Sequence, residues 1–336
     1  MKAAVYRGPR DVQVEEVEKP VLRKPGDILI NIKACGICGS DLHTYKHGLF
    51  IDLGAPMGTG RVMGHEWSGE VAEINGQLPG LKVGDRITGV YGGGSVEYLR
   101  IPAGFVPMLR KIPEGVSYEA AATTEPLATS VHSVRLAGPA DGQTMVVIGA
   151  GIVGLGALQV LKANNSVRVI VADLSDKRLA MAKQMGADIV INSGQEDPVQ
   201  AVLKIVGELP RMRFLEESFG RVDAAIDWAG VTMESAGGST LQQALTMVKP
   251  NGTVVLGAVS EKSFPMDFNR IMFKGLRVYG SWGWTPSDFD EALQLIGAGK
   301  IKRDPLVSHQ FDISQAKEAY EMAANTREAI KVLIKP

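Results

Sequence analysis

Two cysteines lie three positions apart in the segment CGICGSDLH, and a histidine–glutamate pair follows in GHEWSGE. Cys35 and Cys38 are the only cysteines of the 336-residue chain, and the pair is His65–Glu66. A thioredoxin-type redox pair would begin a helix in a small βαβ unit, but glycines interrupt this motif in a strand-rich region. A structural zinc site needs four nitrogen or sulfur ligands, and no second cysteine pair exists. A thiolate, an imidazole and a carboxylate instead suit catalytic zinc, which keeps one coordination position for water or substrate.

A second motif, VVIGAGIVG, has the spacing of a dinucleotide-binding loop. Gly149, Gly151 and Gly154 form a G-x-G-x-x-G pattern after an apolar strand pattern and at the start of a helical one. Such glycines permit a tight turn, a close approach of the backbone to a pyrophosphate, and close packing of helix on strand. The N-terminus of the helix then faces the anion. Together with Val153 inside the loop, these residues are predicted to bind a dinucleotide.

An acidic residue indicates which dinucleotide is bound. Asp173 ends the next predicted strand, 19 residues after Gly154, where a carboxylate accepts hydrogen bonds from the adenosine ribose. Because a carboxylate repels a 2′-phosphate, NAD is favoured over NADP. Two alternatives stay open: Asp173 can instead cap the helix predicted in LSDKR, and Arg178 can either flank the adenine or face solvent.

The elements that position these motifs change character along the chain. Up to residue 126, short strand patterns alternate with Gly and Pro turns. The middle of the chain alternates apolar strands with helical patterns, which predicts a parallel sheet with crossover helices. Because single cores stop growing beyond about 250–300 residues, we predict two domains in an α/β fold.

Composition excludes several classes of partner. The net charge of −1 gives no electrostatic reason to expect nucleic acid or an anionic membrane surface. The apolar stretch MVVIGAGIVGLGALQVL approaches the length of a membrane span, but its four glycines and its strand-then-helix pattern explain it better. Two cysteines and no apolar signal-peptide core predict a reducing, cytoplasmic location.

The motifs above, together with KVGDRI, EPLATSVH and LVSHQFDISQAKEAYE, resemble the zinc-dependent medium-chain dehydrogenases. This family includes alcohol, sorbitol, butanediol and threonine dehydrogenases, and the resemblance covers essentially the whole chain. It implies that residues 1–126 and 283–336 form a catalytic domain, a GroES-like partly open β-barrel. It also implies that residues 127–282 form an NAD-binding Rossmann domain with a doubly wound parallel sheet.

The resemblance further implies the ligands of one catalytic zinc ion. Cys38 and His65 are the first two ligands, and both count as catalytic residues. The third ligand varies among relatives and is either Glu66 or Glu125, and both alternatives remain open.

The same resemblance implies how a proton leaves and where the nicotinamide lies. Ser40 would touch the alcohol oxygen, and His43 would end a proton relay to solvent, a role that suits the pKa of histidine. Asp41 would orient the ring of His65. Residues expected beside the nicotinamide are Thr129, Leu256, Gly257 and Ala258.

The chain lacks a segment that most zinc alcohol dehydrogenases carry. Only YGGGSV stands between KVGDRITGV and EYLRIPA, where those relatives have a four-cysteine lobe with a structural zinc. We therefore predict one catalytic zinc and no structural zinc per chain, in a homodimer or homotetramer.

The predicted function is hydride transfer between NAD and a secondary alcohol of polyol, diol or amino-alcohol type, or its ketone. The substrate class follows from the resemblance, because SDLHTYKHG is closer to polyol, butanediol and threonine dehydrogenases than to simple-alcohol enzymes. One alternative is a metal-free NAD(P)H-dependent reductase of activated double bonds. Those relatives lack the cysteine and the G-H-E motif, so Cys38 and His65 argue against it. The other alternative is a non-catalytic NAD-binding protein.

Overall fold

The chain leaves the first of two compact units and returns to it near its end. One unit comprises Met1–Pro126 and Phe289–Pro336, and the other comprises Leu127–Asp288. The computed structural model describes residues 1–49, 61–211, 218–230, 239–260 and 263–336.

The first segment folds mainly as strands because its apolar residues recur in short runs between turns. In β3, for example, seven of the nine positions are buried, as expected of a strand covered on both faces. The elements of this segment are β1 (Lys2–Gly8), β2 (Asp11–Glu16), β3 (Ile28–Gly36), α1 (Gly39–His47), β4 (Glu66–Ile74), β5 (Arg86–Val90), β6 (Tyr98–Ile101), a 3₁₀ helix (Ala103–Met108), β7 (Arg110–Lys111) and α2 (Tyr118–Ala121).

The middle segment alternates strands and helices, as predicted. Its elements are α3 (Thr124–Ala137), which begins in the first unit, β8 (Thr144–Ile148), α4 (Ile152–Asn164), β9 (Arg168–Asp173), α5 (Asp176–Gln184), β10 (Ile189–Asn192), α6 (Pro198–Val206), β11 (Glu208–Leu209), β12 (Phe219–Gly220), β13 (Val222–Asp227), α7 (Thr240–Met247), β14 (Val248–Leu256), α8 (Asn269–Lys274) and β15 (Arg277–Gly280). The final segment adds α9 (Pro286–Gly297), a 3₁₀ helix (Asp304–Leu306), β16 (Val307–Asp312), a 3₁₀ helix (Ile313–Gln315), α10 (Ala316–Ala324) and β17 (Lys331–Lys335).

The larger sheet of the first unit joins both ends of the chain. Among the described residues its strand order is β16-β17-β3-β4-β5-β7, and β6 also pairs with β3. Strand β3 lies antiparallel between β17 and β4, so that Gly36 faces Leu333 on one side and Glu66 on the other. The end of β3 therefore lies between the start of β4 and the middle of β17.

The sheet of the second unit is doubly wound, which confirms the predicted fold class. Within the described ranges its order is β10-β9-β8-β13-β14-β15, and every pair is parallel. The chain runs outward from β8 through β10 and then restarts at β13 on the other side. Ligands of such sheets bind where the order reverses, which here is the carboxyl end of β8 and β13.

The apolar stretch that approaches membrane-span length is divided between β8 and α4. No helix in the described part of the chain is long and apolar enough to cross a membrane.

Candidate metal and cofactor sites

Three predicted metal ligands come together in the first unit. Cys38 precedes α1 as its N-cap residue, in extended backbone conformation, and His65 directly precedes β4. One ligand atom from each of Cys38, His65 and Glu66 lies within 4.8 Å of the other two. Sulfur, imidazole and carboxylate in one cluster form a donor set that fits catalytic zinc.

Glycine makes room for this cluster where three strands meet. A Cβ atom at Gly36 would lie 2.3 Å from Glu66 Oε2 and 2.6 Å from Lys331 Cε. Gly64, just before His65, has a φ of +86°, and a Cβ there would lie 2.6 Å from Cys35 Sγ. A larger residue at Gly36 would therefore displace the Glu66 carboxylate, and one at Gly64 would collide with Cys35 next to the ligand His65.

Asp41 orders the cysteine and the histidine of the cluster. Its Oδ2 accepts a hydrogen bond of 2.9 Å from the backbone nitrogen of Cys38, and its Oδ1 lies 3.7 Å from His65 Nδ1. A carboxylate that faces Nδ1 leaves Nε2 for a metal. Burial on its own would lower the pKa of His65, but the charges of Asp41 and Cys38 reverse this and raise that pKa well above its usual value.

Burial raises the pKa of the Cys38 thiol, and the Glu66 carboxylate adds to the rise. A thiol with a raised pKa becomes a thiolate when a metal cation binds, and metal binding then releases a proton.

Glu66 is fully buried and already has one basic partner. Its Oε2 accepts from Lys331 Nζ, whereas its Oε1 has no hydrogen-bond partner in the structure. A buried carboxylate oxygen without a donor is costly, and a metal ion would satisfy it. Burial alone would lower the pKa of Lys331, but Glu66 outweighs it and raises that pKa.

Glu125, the other candidate for third ligand, lies in the first turn of α3 and is 8% exposed. It is not a member of the cluster within 4.8 Å. The pKa of Cys38 is raised mainly by burial and then by the charge of Glu66. The charge of Glu125 is close enough to make a smaller contribution in the same direction.

Ser40 and His43, the predicted proton carriers, both lie on α1 and are half-buried. Three residues apart on one helix, their side chains are neighbours. Cys35 is fully buried, and burial raises the pKa of its thiol to about 12, which agrees with a structural thiol.

The glycine loop of the second unit has the geometry of a phosphate-binding turn. Gly149 has a φ of +95°, and a Cβ there would lie 2.8 Å from the backbone nitrogen of Ala229. A Cβ at Gly154 would lie 1.8 Å from the Gly149 carbonyl oxygen, so α4 packs directly on the turn. Gly151 caps α4 without a side-chain bond, which leaves backbone N–H groups at this helix end for an anion.

Asp173 and Arg178 both border the glycine loop. The carboxylate of Asp173 accepts hydrogen bonds from the backbone nitrogens of Ala150 (2.6 Å) and Ser175 (2.8 Å). Ser175, not Asp173, caps α5 by accepting from the Arg178 nitrogen. Arg178 Nη1 lies 3.8 Å from where a Cβ of Gly151 would be, and burial lowers the pKa of this guanidinium. It therefore faces the loop.

The segment after β14 packs against an aromatic ring that sequence reasoning missed. A Cβ at Gly257 would lie 2.2 Å from the Trp228 ring, and Trp228 Nε1 donates to Ser133 Oγ at 3.3 Å. Its neighbours Leu256 and Ala258 are half-buried. Trp228 directly follows β13, and nothing in its position along the chain signals this contact.

Helix α3 is tied to the start of α4. Ser130 Oγ donates to the Val153 carbonyl at 2.8 Å, next to the half-buried Thr129. Lys331, Arg303 and Ser130 were also absent from the predicted site. The inward lysine of the apolar strand AIKVLIK is the one weak signal, because lysines are rarely fully buried unless paired.

Comparisons with known proteins identify two family domains in the chain. Residues 24–113 match the family described as alcohol dehydrogenase GroES-like domain, and residues 153–298 match the family described as zinc-binding dehydrogenase. The GroES-like prediction for the first unit is thereby confirmed.

The relatives are similar over nearly their whole length. The chain is 31% identical to sorbitol dehydrogenase 2 of Saccharomyces cerevisiae, over 99% of this chain and 97% of that protein. It is 32% identical to L-threonine 3-dehydrogenase of Pyrococcus horikoshii, over 96% and 94%. The crystal structure of 2R,3R-butanediol dehydrogenase from Bacillus subtilis aligns with a TM-score of 0.83 at 29% identity, over 100% and 99%.

The family matches and the full-length similarity to named dehydrogenases agree with the cysteine–histidine–glutamate cluster and with the doubly wound sheet and its glycine loop. The chain is an oxidoreductase and belongs to the zinc-dependent medium-chain dehydrogenase family.

Proposed function

We propose that this enzyme transfers a hydride between NAD and a secondary alcohol that carries a second polar group, such as a polyol, a diol or an amino alcohol. The observation that carries the proposal is the cluster of Cys38, His65 and Glu66 within 4.8 Å. The relatives support the substrate class, since they are named as sorbitol, threonine and butanediol dehydrogenases.

We propose Cys38, His65 and Glu66 as the ligands of a single zinc ion. Glu66 is preferred to Glu125 because it belongs to the cluster and has a buried oxygen without a hydrogen-bond donor. When bound, zinc supplies a Lewis acid that lowers the pKa of an alcohol, and NAD supplies the hydride acceptor. This donor set also argues against a metal-free reductase.

Residues of the chain itself orient the metal ligands and carry the proton of the substrate to solvent. Asp41 holds the Cys38 backbone and faces the imidazole of His65. Ser40 Oγ would contact the substrate hydroxyl, and His43 would pass its proton to solvent.

In the second unit the cofactor would be held by backbone and charge. The α4 N-terminus would take the pyrophosphate, Asp173 would accept from the adenosine ribose, and Arg178 would contact the cofactor beside Gly151. The nicotinamide would lie among Thr129, Leu256, Gly257 and Ala258.

Assembly and compartment complete the proposal. We propose that the enzyme is cytoplasmic, which its two free cysteines support. We also propose that it forms a homodimer or homotetramer, which the exposed apolar residues next to the edge strand β15 support. One zinc per chain and no structural zinc follow from the short YGGGSV connection.

A paired substitution tests the function. Cys38→Ser should abolish oxidation of every active member of a panel of secondary alcohols, diols and amino alcohols, while NAD still binds, as measured by calorimetry. Cys35→Ser serves as the matched control and should retain turnover. Full activity of Cys38→Ser without bound metal would refute the zinc mechanism, and absence of turnover by the wild type with all substrates would favour a non-catalytic NAD-binding protein.

A further inference from the structure

Two buried basic side chains lie beside the proposed metal ligands. Lys331 and Arg303 are each 1% exposed, and Glu66 is 0% exposed. Arg303 Nε donates to Thr123 Oγ1 at 3.0 Å, and burial lowers the pKa of this guanidinium although the charge of Glu66 acts to raise it. Lys331 is the one that forms an ion pair with Glu66.

Lys331 connects the two segments that carry the ligands. Its ammonium donates to Glu66 Oε2 and also to the Ile37 carbonyl at 2.8 Å. Ile37 immediately precedes Cys38, and Glu66 immediately follows His65. The side chain reaches both because position 36 is a glycine, where a Cβ would lie 2.6 Å from Lys331 Cε.

The charge of Lys331 has opposite effects on the metal-free and metal-loaded states. A buried carboxylate without a compensating charge is costly, and breaking a buried ion pair is strongly destabilising. Without metal, Lys331 supplies the direct ion pair that compensates Glu66, and Arg303 adds a second positive charge whose pKa Glu66 acts to raise. When a divalent cation binds at the cluster, the cation also compensates the charge of Glu66. The ammonium of Lys331 then repels the cation.

We propose that Lys331 is a positioning residue that serves as a permanent counter-charge for Glu66, stabilising the metal-free enzyme and weakening its hold on zinc. The inference rests on the metal site of the proposed function and goes beyond it, because it assigns the lysine a role in metal exchange. Removal of its charge is expected to destabilise the metal-free chain and tighten zinc binding.

The test compares the full-length wild type with Lys331→Met and Lys331→Arg. Chelator-stripped and zinc-loaded samples are melted by calorimetry, and zinc release to a chelating dye is timed. For Lys331→Met we expect a lower Tm without zinc, a larger rise in Tm on zinc addition, and zinc release slowed by at least about tenfold. A tenfold change corresponds to about 1.4 kcal/mol. Lys331→Arg retains the charge and should restore both properties towards wild type.

Lys274→Met is the matched control because it removes another buried lysine, in the second unit. It should leave the zinc-induced rise in Tm and the release rate unchanged. If Lys331→Met does not fold without zinc, the double variant Glu66→Gln/Lys331→Met should fold, since it removes both charges together.

The outcomes separate the two hypotheses. Faster or unchanged zinc release in Lys331→Met, or a double variant no more stable than Lys331→Met, would overturn the counter-charge role while the zinc enzyme stands. A wild type that binds no zinc would overturn the proposed function together with this inference.

Discussion

Cys35 and Cys38 have the same side chain, and their surroundings give them different chemistry. Cys35 is fully buried with Ser95 Oγ at 3.6 Å, and burial raises its thiol pKa to about 12. Cys38 is half-buried and clusters with His65 and Glu66. At the scale of the residue, therefore, the site depends on which thiol can reach a metal.

The carboxylate of Asp173 provides a test of cofactor choice. Asp173→Asn removes the negative charge that would repel a 2′-phosphate, so we expect the ratio of kcat/KM for NAD to that for NADP to fall by at least about tenfold, or about 1.4 kcal/mol. Steady-state kinetics with both cofactors measures it. The control is Asp176→Asn, at the exposed start of α5, and an unchanged ratio in Asp173→Asn would remove this residue from cofactor discrimination.

Sequence predicted the residues that lie in local motifs and missed those supplied by distant segments. Cys38, His65 and the three glycines occur at fixed spacings, so their chemistry was apparent. Lys331 comes to Glu66 only through the pairing of β17 with β3 and of β3 with β4. No spacing in the sequence encodes that register.

At the scale of the element, two glycines in the turn between β8 and α4 have different roles, one in packing and the other in cofactor binding. Gly154 is needed for packing, because a Cβ there would lie 1.8 Å from a backbone oxygen. Gly151 has open space around it, and its nearest contact would be Arg178 Nη1 at 3.8 Å. The two glycines of one motif should therefore respond differently to substitution.

Gly154→Ala should lower the free energy of unfolding by about 3 kcal/mol or more, since backbone must move. Gly151→Ala should fold normally and bind NAD at least about tenfold more weakly, because its methyl group stands where a pyrophosphate approaches. Chemical denaturation and NAD calorimetry distinguish them. Equal stability of the two variants would contradict the packing described for α4.

The buried lysine at the end of α8 predicts a pH dependence of stability. Lys274 Nζ donates to the carbonyls of Leu245 and Thr246 near the end of α7, and burial lowers its pKa to about 7. Between that value and its usual 10.5, the unfolded chain holds a proton that the folded chain has lost. This lysine's contribution to the free energy of unfolding therefore rises with pH in that window.

Denaturant unfolding of wild type and Lys274→Met at pH 7 and pH 9 measures this contribution. We expect the wild type to gain stability relative to the variant as the pH rises. An unchanged difference between wild type and variant would mean that the folded lysine stays charged at pH 9.

At the scale of the whole molecule, the doubly wound sheet was predictable and the sheet of the first unit was not. Each strand and helix of the former are neighbours in sequence, so their alternation predicts the topology. The latter pairs strands from opposite ends of the chain, such as β17 with β3. The family resemblance, not local pattern, supplied its expected architecture.

The outer edge of β15 is where assembly can be tested. No described strand covers that edge, and Tyr279 and Trp282 beside it are 40% and 66% exposed. Exposed apolar edges favour association. We expect light scattering to give the wild type a mass of two or four 35.9 kDa chains. The double variant Tyr279→Asp/Trp282→Asp should have a lower mass. A monomeric wild type would refute the proposed assembly.

The most direct test is the zinc content of the active enzyme, measured by mass spectrometry of the purified protein alongside its turnover. We expect one zinc per chain in the wild type and in Cys35→Ser, and almost none in Cys38→Ser, with turnover following the zinc. A wild type that oxidises its alcohol with no bound metal would contradict the zinc-dependent mechanism.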